Sequence, residues 1–231
     1  MRASSAFSVV GDHPDFVVID KPPGISFHKD DNDTGLVMQV SEQLGCELFP
    51  VHRLDKVTSG LLLLAKSSAA ASLLSAAFAE RRVDKFYLAI SDRKPKKKQA
   101  IIIGDMVKAR RGCWKLTKTR DNPAVSRIVS GALNAGKRLY CVRPATGKTH
   151  QIRVALKSIG APICGDLAYG GTPADRAYLH AWQLHFNYLG EPYTFRADPT
   201  VGELFSGGAL DTLLDSWAQP NALSWPGKMK D

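Results

Sequence analysis

The sequence predicts an α+β fold with a mixed, mainly antiparallel sheet and flanking helices, and three observations lead to it. Strand-like and helix-like segments are interspersed without the regular β-α-β beat of a doubly wound sheet. The phosphate-binding patterns GxGxxG and GxxxxGK[ST] are both missing; PATGKTH contains Gly-Lys-Thr but lacks the first glycine of a phosphate loop, which excludes that class of NTPase. A chain of 231 residues with 44% apolar and 23% charged residues can bury a real core. No internal repeat or low-complexity linker marks a boundary, so one domain over 1–231 is expected.

Taken in order, FVVIDKPPG is an apolar strand stopped by a Pro-Pro-Gly turn. DTGLVMQVSEQLG predicts a short helix capped by Asp33 or Thr34 and stopped by Gly45. GLLLLAK is short and bounded by Ser-Gly and Lys-Ser, which suits a buried strand. SSAAASLLSAAFAERRV predicts a helix capped by Ser67 or Ser68, with Ala69, Leu73, Ala77 and Phe78 on one face and Arg81 and Arg82 in its last turn. KFYLAI is a strand, and RKPKKK after it puts five cations into an exposed loop. Residues 101–130 hold short strand-like pieces rich in Lys and Arg. RLYCVRP is a strand ending at Pro144. Thr149 is the expected cap of a helix with the stripe Ile152, Leu156, Ile159, ended by Gly160 and Pro162. YLHAWQLHF is a further strand. Leu210, Leu213, Leu214 and Trp217 repeat at helical spacing, and NALSWPGKMKD reads as a loose tail.

Charge narrows the function. With 31 Lys+Arg against 22 Asp+Glu the net charge is +9, which attracts polyanions, of which RNA and DNA are the commonest. The N-terminus has no signal-peptide core, and no stretch approaches membrane-span length. Cys46, Cys113, Cys141 and Cys164 are scattered without a C-x-x-C, so they read as reduced thiols of a cytoplasmic protein.

The stretch HRLDKVTSG, His52 to Gly60, carries the first candidate chemistry. Asp55 lies between Arg53 and Lys56 at the mouth of the leucine strand. Desolvation beside that strand raises a carboxyl pKa, and a nearby guanidinium restores the ionised form. An ionised, poorly solvated carboxylate serves as nucleophile or base. The plain alternative is a turn aspartate paired with Arg53. His52, His150 and His180 match no metal-ligand spacing and read as ordinary hydrogen-bonded histidines. Ser59 lacks the nucleophile-elbow context, and Thr58 and Ser59 read as turn formers.

These blocks carry a resemblance. HRLDKVTSGLLLLAK is similar to the signature H-R-L-D-x-x-T-S-G-L-L-L-x-A-K of the RluA-type family of RNA pseudouridine synthases. VIDKPPG, KFYLAI, TGKTHQIRVALKSIGAPICGD and YLHAWQLHF resemble further family blocks in the same order. The match runs from about residue 16 to 205, leaving a C-terminal helix and tail at 206–231. It implies the pseudouridine synthase fold with a central basic cleft. It also implies no N-terminal S4-type domain, because the family strand begins within the first twenty residues.

The resemblance implies roles residue by residue. Asp55 is the catalytic aspartate. Arg153 is its buried counter-ion, whose loss strands a charge. Tyr87 stacks on the target base. A uridine inside a stem must be flipped out, and the planar guanidinium of Arg53 suits the vacated stack. His52, Lys21, Lys148, His150, Lys96 and Lys97 are further RNA-contact candidates, with a surface charge as the plain alternative for Lys21. The uracil leaves through N1 and rejoins through C5, so no cofactor or metal is needed. The implied partner is a structured RNA, tRNA or ribosomal RNA. Ala155 stands where the family often has His, Trp182 where it often has Arg, and GDLAYGG has an extra Gly and an Ala. Two rival functions are weighed. A non-catalytic RNA-binding or RNA-folding protein need not keep Asp55, Tyr87 and Arg153. A carboxylate-dependent hydrolase needs a second acid that the motif blocks do not offer.

Overall fold

Residues 7–26 and 35–227 are described by the computed structural model. In chain order the elements are β1 (Ser8–Asp12), β2 (Phe16–Lys21), α1 (Leu36–Leu44), β3 (Phe49–Pro50), β4 (Ser59–Ala65), α2 (Ser68–Ala79), β5 (Asp84–Ser91) and β6 (Ala100–Gly104). They continue with β7 (Met106–Lys108), β8 (Trp114–Leu116), β9 (Ala124–Ala132), β10 (Arg138–Pro144), α3 (Gln151–Ser158), β11 (Leu179–Tyr188), β12 (Glu191–Arg196) and α4 (Gly208–Ser216). The strands of β2, β4, β5, β10 and β11 fall where the apolar runs predict them. Two units divide the chain: Met1–Lys85 with His180–Pro199, and Phe86–Leu179 with Thr200–Asp231. Among the described residues no helix is long and apolar enough to cross a membrane.

In the first unit β1 pairs with β2, β2 and β3 with β4, and β11 with β12, all antiparallel. β4 and β11 run parallel, with Ser59 opposite His180. Every residue of β4 is buried. A strand covered on both faces needs no alternation, which explains four consecutive leucines. Leu61 and Leu63 join Phe16, Val18, Leu184 and Phe186 under Ala70, Leu74 and Ala77 of α2. Each such leucine contributes about 2 kcal/mol by leaving water. Of the expected α2 face, Ala77 and Phe78 pack on this core, whereas Ala69 and Leu73 are exposed and Ala70 and Leu74 take their place. Ser67 caps this helix by accepting the Ala70 N–H. α2 ends at Ala79, so Arg81 and Arg82 lie beyond it and not in its last turn. α1 stops at Gly45, whose φ of 66° closes the Cys46 N–H onto the Ser41 carbonyl. The expected caps Asp33 and Thr34 lie outside the described residues.

In the second unit β5 pairs with β10, β10 with β9 and β9 with β6, all antiparallel. β7 and β8 form a separate two-stranded hairpin. α4 lies against the face that carries Gly131, where an added Cβ would come 2.4 Å from Leu213. α3 lies on the opposite face, since Gln151 donates to the Ser126 hydroxyl at 2.9 Å. Thr149 does not cap α3. His150 occupies the cap position with φ 57°, and the Gln151 side chain folds back to accept the Lys148 N–H and the Thr146 hydroxyl. This buried amide fixes the segment leading into α3, and no side chain among the described residues caps the helix itself. The C-terminal segment is also not loose as far as residue 227. Trp225 lies 6.0 Å from the Phe86 ring and donates its indole N–H to Pro220.

Candidate active site

The Asp55 loop belongs to the first unit and leads into β4. The Thr58 N–H donates to the Asp55 carbonyl at 3.0 Å, closing a turn. Gly60 follows at φ 104°, and a Cβ there would lie 2.2 Å from the Ala181 carbonyl oxygen. Only glycine lets β4 pass the β11 backbone at this point. His180 bonds the Ala197 carbonyl through Nε2 at 2.7 Å and Ser59 Oγ through Nδ1 at 2.8 Å. A carbonyl only accepts, so Nε2 carries the proton and a neutral ring takes the Ser59 hydroxyl proton at Nδ1. Ser59 and His180 are thus a buried brace behind the acid.

Lys21 corrects an expectation. It is fully buried, and its ammonium donates to the carbonyls of Pro22 at 2.9 Å, Ile25 at 3.0 Å and Lys56 at 3.2 Å. The Gly24 N–H reaches the same Lys56 carbonyl at 2.9 Å. Lys21 is therefore a clamp between the Pro-Pro-Gly turn and the Asp55 loop, not a phosphate contact at the surface. A buried ammonium needs its donors used, and these three main-chain carbonyls accept from it. Lys56, exposed at its side chain, matters here through its carbonyl.

His52 is corrected likewise. Its ring stacks on Phe78 with centroids 4.4 Å apart, and its Nε2 accepts the Leu63 N–H at 2.9 Å. Burial, with Lys85 nearby, pushes its pKa from 6.5 down to about 3. A neutral, half-buried ring bound to the β4 backbone is a structural support. Arg53, one residue on, is exposed and makes no hydrogen bond or ion pair among the described residues. The local Arg53–Asp55 pair is not formed.

In the second unit Arg153 is buried on α3 and pairs bidentately with Asp166, Nε to Oδ2 at 2.7 Å and Nη2 to Oδ1 at 2.8 Å. Its guanidinium also lies 4.7 Å from the Tyr169 ring centre. The Tyr169 hydroxyl meets His150 Nδ1 at 2.8 Å and accepts the Trp114 N–H at 2.9 Å. Burial pushes the Tyr169 phenol pKa up. Asp166 and Tyr169 come from GDLAYGG. The extra glycine there, Gly171, has a steric reason, since its Cβ would lie 1.9 Å from the Ile163 carbonyl oxygen.

Tyr87 is opposite Val142 on β10, which is opposite Ile128 on β9. Side chains two apart share a face, so Tyr87 is on the Ser126 face where α3 packs. Tyr87 and Arg153 are thus brought to one side of this sheet. Lys148 donates to Asn122 at 2.7 Å, and Lys96 and Lys97 are exposed, the Lys96 N–H being anchored to the Ile159 carbonyl. Of the two departures, Ala155 is buried in α3. Trp182 is buried in the first unit and donates its indole N–H to Asp198 at 2.7 Å. Sequence reasoning missed the roles of Lys21, Asp166 and Tyr169. Their signals were a lysine directly before Pro-Pro-Gly and an Asp and a Tyr in a block quoted without roles.

An α+β chain with an aspartate loop feeding a buried strand defines the class that the comparisons with known proteins then specify. Residues 15–158 match the model of the family described as RNA pseudouridylate synthase. An uncharacterised RNA pseudouridine synthase of Haemophilus influenzae is 50% identical over 200 residues, covering 85% of this chain and 89% of that one. The tRNA pseudouridine synthase C of Pasteurella multocida is 32% identical, covering 76% of this chain and 83% of the relative. The solved structure of human RNA pseudouridylate synthase domain containing 1 superposes with a TM-score of 0.75 at 25% identity, covering 95% of this chain and 98% of that one. The chain belongs to the RNA pseudouridylate synthase family, whose members are isomerases.

Proposed function

We propose that this protein converts specific uridines of a structured RNA, tRNA or ribosomal RNA, to pseudouridine in the cytoplasm. Both units together act as one catalytic domain. Asp55 is the ionised catalytic carboxylate, Arg153 the cation that keeps it ionised, and Tyr87 the ring that stacks on the uracil. Arg53 occupies the stack that the flipped base leaves. Lys148, His150, Lys96 and Lys97 contact the RNA; Lys21 is withdrawn from that set by its burial, and His52 by the bond of its Nε2 to the β4 backbone. The reaction balances within the substrate: the N1–C1′ bond breaks, a C5–C1′ bond forms, and hydrogen is lost at C5 and gained at N1.

The observation that carries this proposal is the Asp55 loop. It lies inside the segment matched by the family model, and a buried lysine bound to main-chain carbonyls, that of Lys56 among them, seats it. The test is pseudouridine formation in bulk unmodified RNA. The native sequence is expected to raise pseudouridine content, and Asp55→Asn to lose at least about a thousandfold in rate while keeping its melting temperature. Conversion by Asp55→Asn at the native rate would sink the mechanism and favour a protein that only binds or folds RNA.

A further inference from the structure

The hairpin of β7 and β8 pairs with no other strand among the described residues. Along it and in the segment just after β8 stand Lys108, Arg110, Arg111, Lys115, Lys118 and Arg120, all exposed. None of the six side chains makes a hydrogen bond or an ion pair among the described residues. Three cations elsewhere are matched, Lys66 with Asp12, Arg82 with Glu80 and Arg196 with Asp198. Asp105, just before β7, spends its carboxylate on the N–H groups of Asp121 and Asn122. Six unmatched cations on one short hairpin and the segment just after it repel each other, which is a cost unless a polyanion neutralises them. No fully exposed aromatic accompanies them, so the surface suits a phosphate backbone and not base stacking.

The hairpin is not loosely hung. The Trp114 N–H donates to the Tyr169 hydroxyl, and the Cys113 thiol to the Ala168 carbonyl at 3.4 Å. The same hydroxyl meets His150 at the start of α3, and the same ring underlies Arg153. One tyrosine therefore joins the charged hairpin to the helix that carries the buried arginine.

We propose that the β7–β8 hairpin is an arm that docks on the phosphate backbone of the RNA substrate, and that Tyr169 is a positioning residue that ties this docking to the setting of Arg153. The proposal rests on Arg153 serving an RNA pseudouridine synthase. Docking is tested in the catalytically silenced Asp55→Asn chain, by fluorescence anisotropy with a labelled, unmodified tRNA transcript across a salt series. Replacing Lys108, Lys115, Lys118 and Arg120 together by Ser is expected to weaken binding about thirtyfold or more near 0.15 M salt. It should also make the salt slope shallower by about 3. Native affinity and slope overturn the arm. So does unchanged RNA affinity with binding to anionic phospholipid vesicles lost, which assigns the hairpin to a membrane surface.

The latch is tested with Tyr169→Phe, which keeps the ring under Arg153 and removes only the hydroxyl. RNA affinity is expected within about twofold of native, and single-turnover pseudouridine formation about tenfold slower. In the chain with the four Ser substitutions the same change is expected to slow turnover no further, a non-additivity that a merely structural role does not give. Additive effects, or an unchanged rate, overturn the latch. If the native sequence makes no pseudouridine at all, the enzyme proposal falls and the latch with it, while the arm stands or falls on the binding series alone.

Discussion

The Asp55 loop and the Arg153 helix mount opposite charges in opposite ways. The acid is mounted through main chain: its loop is closed by the Thr58 N–H, clamped by Lys21 on the Lys56 carbonyl, and backed by the Ser59–His180 brace. Arg53 of the same loop is exposed and makes no ion pair among the described residues. The base is mounted through side chains, by a bidentate carboxylate on one side and a ring face on the other. The difference follows from what each group is for. A carboxylate that must react loses its use when a local guanidinium takes both oxygens. A guanidinium has five donors, so it is oriented by Asp166 and still has capacity for another acceptor.

The sharpest break in this comparison is Asp166→Ala. It leaves the Arg153 guanidinium buried without its bidentate partner, and a loss of about 3–5 kcal/mol is expected in urea unfolding. Replacing both partners, Arg153→Met with Asp166→Leu, should recover most of that stability and none of the activity. If Asp166→Ala unfolds at the native midpoint, the pair is not what mounts the arginine.

Next in size is Lys21→Met on the other side of the comparison. The methionine fills similar space but donates nothing, so three carbonyls lose a charged donor, at about 3 kcal/mol. Catalysis should fall with the loosened Asp55 loop, while the salt dependence of RNA binding stays native. Native stability with a salt slope reduced by about 1 would instead make Lys21 a phosphate contact.

How much of this was legible before the structure depends on the kind of information each residue carries. GLLLLAK was readable because a strand buried on both faces leaves an unbroken apolar run. Asp55, Tyr87 and Arg153 were readable as candidates because they stand in long, specific blocks. The burial of Lys21 was not readable, since its partners are carbonyl oxygens that every residue possesses. The His52 support was hidden for the same reason, its acceptor serving the Leu63 N–H. The α2 face was misread by one position at Ala69 and Leu73 because an alanine-rich helix gives nearly equal hydrophobicity on neighbouring faces. Thr149 does not cap α3 because His150, in the left-handed region, takes the cap position, and Gln151 folds back onto the residues before the helix.

The smallest expected effect tests His52, the support nearest the acid. Its folded pKa is lowered to about 3, so between pH 6.5 and 3 the unfolded chain holds a proton that the native ring refuses. Stability from this group is complete above about pH 6.5 and is lost as the pH falls toward the folded value, about 2 kcal/mol being gone near pH 4.5. His52→Gln keeps an acceptor for the Leu63 N–H and does not titrate. Its urea midpoint is therefore expected to lack this component of the acid-side fall that the native protein shows. Parallel curves for the two proteins from pH 6.5 to 4.5 would mean that the ring protonates freely in the native state. That outcome would return His52 to the residues available to an RNA phosphate, and would leave the main-chain mounting of Asp55 to Lys21 and the Ser59–His180 brace.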